Sequence, residues 1–407
     1  MKSAGRRWPL RLSLAGAAAI AFVVGAMLLG PRVLDLPALK SGVERKISQA
    51  ANGQITWDDL QVRLLPVPRV ELRAVAVDIP GRLHATIEQA QARLGLLSLL
   101  RGHIEVLSIA VMRPVVRLQI PWSPPAQNEP TQDPLTVYRF VLAPLAQAAQ
   151  EVLYGARLEI SDSDLQVNAS TLPELRVRGL SLRAQADATG LDLQVSASSN
   201  FWDQLRLSGR IEFADLSANL NLEVARFNAQ PWLDRLLTDA ALGVNVSPAD
   251  VAARLATDAK TELTCDFNLN VASLELVRSG QRLPMDQSNL KGRAILRAHE
   301  SELTLSEMRV GSLLPDGSLQ LHMTGVFERP EIALDVPDLN INMLRDAVLA
   351  LTTDHVEIGR YVARARGGIL RDFKLRAGAD TWRDLFNVDR LDASATLVDA
   401  RLLLPVV

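Results

Sequence analysis

Aromatic side chains are scarce in this 407-residue chain, cysteine occurs once, and neither sign of charge prevails: 44 Lys and Arg face 46 Asp and Glu, a formal charge of -2. Each shortage excludes a class of protein. Nucleic-acid binding needs clustered basic charge against phosphate and aromatic platforms for bases, and the composition favours neither. A lone Cys265 rules out an internal disulfide framework and a four-cysteine metal site. Its alternation with Leu263, Phe267 and Leu269 predicts a buried strand residue. The five histidines, His84, His103, His299, His322 and His355, are dispersed, and none forms the His-Glu-x-x-His pattern of zinc proteases. No glycine-rich phosphate loop is present. Ser288-Asn-Leu-Lys291 fits a Ser-x-x-Lys pattern, but Lys260-Thr261 is followed by Glu262 where a companion Lys-Thr-Gly would need glycine. Asn168-Ala-Ser170 has the form of a glycosylation sequon and reads better as a turn. The expectation is therefore a non-enzyme with no metal site, no cofactor and no nucleic-acid partner.

What the chain does have is apolar surface, 48% of its residues. Lys2, Arg6, Arg7 and Arg11 precede an uncharged apolar run from Leu12 to Leu29, close to the ~20 residues that a helix needs to cross a bilayer. Basic residues stay on the cytoplasmic side, so 1–11 reads as a cytoplasmic tip, 12–30 as a transmembrane helix, and the remainder as lying outside. The run continues as Gly30-Pro31-Arg32 with no small-x-small cleavage site, which favours an anchor over a cleaved signal.

Beyond a short helix with Leu39, Val43, Ile47 and Ala50 on one stripe, the apolar period changes to two. Val70, Leu72, Ala74 and Ala76 alternate with Glu71 and Arg73, the pattern of a strand with one buried face. The same alternation recurs at Leu158 and Ile160, at Leu165 and Val167, and at Leu180, Leu182, Ala184 and Ala186. It continues at Leu191, Leu193 and Val195, then Leu205, Leu207, Ile211 and Phe213, then Leu216, Leu220, Leu222 and Val224. Short polar turns such as Asp187-Ala-Thr-Gly190 leave no room for crossover helices, so the sheet should be antiparallel. Strands resume at 263–271, 303–305, 319–323 and 332–336.

Helices are few. They are expected near 37–52, 135–154, 231–238, 248–257 and 341–351, the fourth from Ser247-Pro248 as cap and first turn. A Pro-rich stretch from Pro121 to Pro134 reads as a surface linker. Two segments, Val224 to Asp234 and Val336 to Asp346, each end a strand at Asn and enter an apolar helix, suggesting a repeated module. So few helices cannot roof so much sheet. The apolar face must close as a sandwich, close as a barrel, or stay open as a curled trough covered by a guest. The cluster Leu96, Leu97, Leu99 and Leu100 reads as a helical corner sealing the sheet or as a cap on the end of such a groove.

The segment Leu64 to Leu72, LLPVPRVEL, follows Asn52-Gly-Gln-Ile55 and a strand through Leu60 and Val62. With the block LGLLSLLRGHIEVLSIAVMRPVVRL from Leu94 to Leu118, it resembles the opening of AsmA-family proteins over about residues 10–120. The resemblance implies an inner-membrane-anchored periplasmic protein with a chorein-like module at 31–120, followed here by an insertion at 121–155 and β-meander modules at 156–407. It further implies an elongated, curled, mostly antiparallel groove that carries phospholipid acyl chains in outer-membrane biogenesis. The alternating aliphatics from Leu158 to Val224 would line it. The rival expectation is a closed β-sandwich that binds outer-membrane proteins or their assembly machinery. The chain ends within strand-like sequence at Arg401 to Val407, where larger relatives continue, as expected of a truncated chain or a short member.

Overall fold

The computed structural model describes residues 54–402 except 64–66, 80–82, 102, 104, 121–133, 170–172, 237–241, 279–280, 312–313, 315, 325–327, 352–363 and 381–389. The expected cytoplasmic tip, the transmembrane helix, the helix at 37–52 and nearly all of the Pro-rich stretch lie outside the described residues. The protein is mostly β and divides into two compact units. The first comprises Met1–Pro130, Thr136–Asn221 and Thr257–Lys260, the second Thr131–Leu135, Leu222–Ala256 and Thr261–Val407.

In the first unit β1 (Gln54–Thr56) and β2 (Asp59–Arg63) both pair with one side of β3 (Arg69–Ile79). The sheet continues through β4 (Leu83–Leu94), β5 (Val106–Ile120), β6 (Arg157–Ala169), β7 (Leu175–Ala186), β8 (Gly190–Ser199) and β9 (Gln204–Glu212). A one-turn helix α1 (Leu96–Leu100) joins β4 to β5. The next strand, β10, spans Ala218–Phe227. Among the described residues β1 and β2 have no strand on their far side, so this sheet is open at that edge rather than closed as a barrel.

The turn-based expectation of antiparallel pairing is corrected at one place: β5 and β6 run parallel, from Ser108 opposite Arg157 to Ile120 opposite Ala169. The reason lies in the connection. A parallel pair needs a crossover of a dozen or more residues, and the stretch that reads as an insertion, containing helix α2 (Pro134–Val152), supplies it.

The second unit contains α3 (Gln230–Leu236), β11 (Leu242–Val246) and β12 (Ala249–Thr257). Its sheet runs from β11 to β13 (Leu263–Arg278), then β14 (Gln281–Leu296), β15 (Glu300–Val310), β16 (Ser318–Thr324), β17 (Glu328–Asn340), β19 (Ile369–Gly378) and β20 (Leu391–Val398), each pair antiparallel. Helix α4 (Ile341–Leu351) follows β17, and β18 (Ala365–Arg366) pairs with β21 (Arg401–Leu402) apart from the main sheet. The helix expected at 248–257 is instead β12. Val251, Ala253 and Leu255 are half-buried and alternate with exposed Asp250, Ala252 and Arg254, a period of two that outweighs the cap signal. Ser247 does not cap; its hydroxyl accepts from the Ser273 backbone N–H at 2.9 Å.

The two segments read as a repeat, Val224 to Asp234 and Val336 to Asp346, start their helices in a similar way. Asn228 Oδ1 accepts from Gln230 N at 3.2 Å at the start of α3, and Asn340 Oδ1 accepts from Asn342 N at 2.9 Å at the start of α4. The amide two residues past each cap then ties its helix to later chain. Gln230 donates to Val244 O at 3.0 Å and accepts from Val246 N at 2.8 Å, while Asn342 Oδ1 accepts from Gly367 N at 3.0 Å.

Both sheets are bent along a line of phase slips. In β3 Val70 and Leu72 are buried, then Val75, Val77 and Ile79; the slip falls at Ala74, whose φ is 49°. The expected run Val70, Leu72, Ala74, Ala76 therefore does not share one face, because a residue in the left-handed region reverses the alternation. Arg113 (φ 47°), Asp162 (φ 53°) and Gly179 (φ 58°) do the same in β5, β6 and β7 at nearly the same height. In the second unit Gln287 (φ 47°) and Asp372 (φ 55°) mark the equivalent line on β14 and β19.

Candidate functional site

Residues that face one another across paired strands share a face, so the register defines rows. In the first unit one row reads Val62, Val70, Ala92, Ile109, Leu158, Ala184, Leu193, Gly209, and the next reads Leu60, Leu72, Ala90, Val111, Ile160, Leu182, Val195, Leu207. Past the bend Val77, Ala85, Val116, Leu165 and Val177 align, then Ile79, Leu83, Leu118, Val167 and Leu175. No charged residue occurs in these rows. Gly209 closes the first because the neighbouring backbone comes close: a Cβ there would sit 2.1 Å from Asn219 O.

The sequence-predicted lining residues fall onto this surface. Leu158 and Ile211 are buried, while Ile160, Leu165, Val167, Leu191, Leu193, Val195, Leu205 and Leu207 are half-buried. Leu191 faces Ile211, and Leu205 faces Ala197. Phe213 lies against the cluster of Ile109, Leu158, Ala184 and Ala186. Leu220, Leu222 and Val224 alternate along β10, with Val224 buried and the other two half-buried. The lining residues named from the sequence begin at Leu158 and leave out the share of β3 to β5, where Val70 and Leu72, read as a buried face, and Val75 and Ile109 are at most 1% exposed. The signal was present as short alternations broken by a slip.

Cover for this face is local. Trp57 and Leu99 pack onto the β3–β4 cluster. Of the four leucines read as a groove-end cap, Leu99 alone is placed there, Leu96 and Leu97 are exposed, and the Leu100 side chain lies outside the described residues. Ala149 of α2 and Leu153 just past its end are buried against Ile109, Leu158 and Ala186. Near its other end the Tyr138 hydroxyl donates to Leu216 O at 2.8 Å, and Arg139 donates to Ala259 O and Lys260 O. Burial, with Asp215 nearby, pushes the Tyr138 hydroxyl pKa up to about 12, so it stays a donor throughout the physiological range. From Tyr138 to Leu153 a helix rises ~22 Å, matching four to five strands at ~4.8 Å. The helix is a bar across one end of the strands, leaving the mid-strand rows half-buried.

The second unit repeats the pattern. Cys265, Ala294, Leu303, Leu321, Ile332, Ala377 and Leu391 form one row over seven strands, and Phe267, Gly292, Leu305, Leu319, Leu334, Leu375 and Ala393 form the next. Burial raises the Cys265 thiol pKa, which keeps it an un-ionised lining group. Ser288 lies on this face between Val271 and Val310, whereas Lys291 points to the other side and binds Glu307 at 2.8 Å. The Ser-x-x-Lys pair is thus split by the sheet. Among the described residues no group of His, Cys, Asp and Glu could hold a metal ion, and no helix is long and apolar enough to cross a membrane.

The reverse face is polar. Glu71, whose side chain is 6% exposed, is satisfied there by Arg73 Nε at 2.8 Å and Gln89 Nε2 at 2.9 Å. Arg113 meets Glu88 at 3.0 Å across the bend.

An open sheet in each unit, apolar and uncharged on one side and polar on the other, defines a class of amphipathic β-sheet proteins with few helices. The model of the AsmA family matches residues 10–303, and the chain belongs to that family. No curated protein and no solved structure gives a significant match.

Proposed function

We propose that this protein is a non-catalytic, lipid-handling component of the bacterial envelope, anchored in the inner membrane through residues 12–30 with its bulk in the periplasm. On this reading the apolar rows shield phospholipid acyl chains during outer-membrane biogenesis or lipid homeostasis. The supporting observation is the unbroken run of uncharged rows on sheets whose mid-strand aliphatics remain half-buried. Keeping a methylene out of water contributes ~0.8 kcal/mol, so an acyl chain is held without any specific head-group contact. AsmA membership and the open sheet both fit this role.

The test is photo-crosslinking in the full chain. A photoreactive residue at Leu193 or Leu207, on the apolar face, is expected to capture phospholipid, whereas one at Gln194 or Arg206, on the polar face, is not. Equal labelling of the two pairs defeats the reading.

A further inference from the structure

The polar face of the first unit carries a feature that the overall charge of -2 conceals. Arg63 faces Arg69, Arg69 faces Arg93, Arg93 faces Ser108, and Ser108 faces Arg157, so four of five adjacent strands place arginine at one height. Like charges directly opposite across strands repel, and a fold built for stability alone would avoid the arrangement. Among the described residues none of these four guanidinium groups has a carboxylate within ion-pair distance; Arg63 donates to Gln61 Oε1 at 3.2 Å. Acids close by are engaged elsewhere, Glu71 with Arg73, Glu159 with Arg183, and Glu105 at the same strand end with the Ser98 hydroxyl.

Just beyond this row, at the same strand ends, lie the most exposed aliphatics of the unit. Val67 is 50% exposed, Leu96 44%, Leu97 69% and Leu107 45%, and Tyr154 beside the start of β6 is 65% exposed. Leu99 of this single helical turn packs onto the core, while Leu96 and Leu97 are left exposed.

We infer that this end of the first unit docks on a membrane surface rich in anionic phospholipid, the arginine row meeting phosphate head groups while Leu96 and Leu97 enter the acyl boundary. Basic side chains beside protruding leucines and a tyrosine are the chemistry of an interfacial membrane contact. An acidic protein would use the arginines and leave the leucines unexplained. Nucleic acid would call for stacking aromatics, which are absent from the row. The docking site lies on the polar face and the strand ends, separate from the apolar rows, so it stands or falls independently of acyl-chain shielding.

The full chain, with Cys265→Ala and an environment-sensitive nitrobenzoxadiazole label on Leu97→Cys, is reconstituted in phosphatidylcholine vesicles with or without added phosphatidylglycerol. In the anionic vesicles the label's emission is expected to shift to the blue, and spin-labelled acyl chains should quench it several-fold more than in neutral vesicles. The difference should vanish with Arg93→Glu or Arg157→Glu, and at 1 M salt, where the screening length falls to ~3 Å. Because Arg93→Glu turns an Arg–Arg opposition into an ion pair with Arg69, its melting temperature should hold or rise, which separates lost docking from lost folding. A label that stays in water in both vesicle types overturns the inference and leaves the row to an acidic protein partner. Equal quenching in both, unchanged by either reversal, also overturns it, since the anchor alone would then be placing the tip.

Discussion

Arg210 is the best-connected side chain of the first unit. Its guanidinium reaches Asp187 at 2.9 Å, Asp192 at 2.8 Å and Glu212 at 2.7 Å, and so ties the β7–β8 turn to β9. Asp187 also accepts from Thr189 N at 2.7 Å and Gly190 N at 2.8 Å. Arg210 first, then these turn amides, hold the Asp187 carboxyl well below the usual carboxylate range. A carboxyl depressed on folding stabilises above its unfolded pKa, near 3.9, and loses that contribution as pH falls through the folded value. Asp187→Asn is therefore expected to lower the melting temperature at neutral pH, with the gap to the parent closing as the pH falls below about 4. Thermal melts across that range check it, and a gap independent of pH would show that the turn amides, not the charge, matter. Nothing in the sequence singles out this cluster, because Asp187 and Arg210 meet only once the hairpins are in register.

At the scale of elements, the same ambiguity that periodicity leaves open explains both successes and errors. Helices α2, α3 and α4 were legible from apolar stripes and, for the last two, from an Asn ahead of each. β12 was misread because Ser247-Pro248 is a good helix start, and the period of two at Val251, Ala253 and Leu255 was given less weight than that cap signal. The phase slips were harder still, since Ala74 gives no sequence hint that it will adopt φ 49°. Helix α2 was visible as an element but not as the crossover that makes β5 and β6 parallel. Its attachment is testable: Leu153 is 6% exposed against the sheet, and Leu153→Ala should cost ~2–5 kcal/mol. Denaturant unfolding of the full chain measures this; a loss under ~1 kcal/mol would mean that the bar is held by its other end, at Tyr138 and Arg139.

For the whole molecule, the mostly β class and the apolar face were readable from alternation alone, while its openness was not. Alternation counts buried faces without saying what buries them; only the pairing shows β1 and β2 with one neighbour and each unit with a single main sheet. Both units carry uncharged rows, so acyl shielding should not be confined to one. A photoreactive residue at Leu321, in the second unit, is expected to capture phospholipid as Leu193 does, and capture at Leu193 alone would restrict the role to the first unit.

The parallel join also bears on how the first unit assembles. All pairings from β3 to β9 link strands consecutive in the chain, most through a short turn, whereas β5 can meet β6 only after the whole 121–156 connection has been gathered in. Closing a loop roughly ten times longer than a hairpin turn costs about 2 kcal/mol more in chain entropy. Two locally zippered ribbons, β1 to β5 and β6 to β9, can thus form early and independently. Their union is then expected to be the late, slow step of folding, with α2 as the clasp that makes it possible.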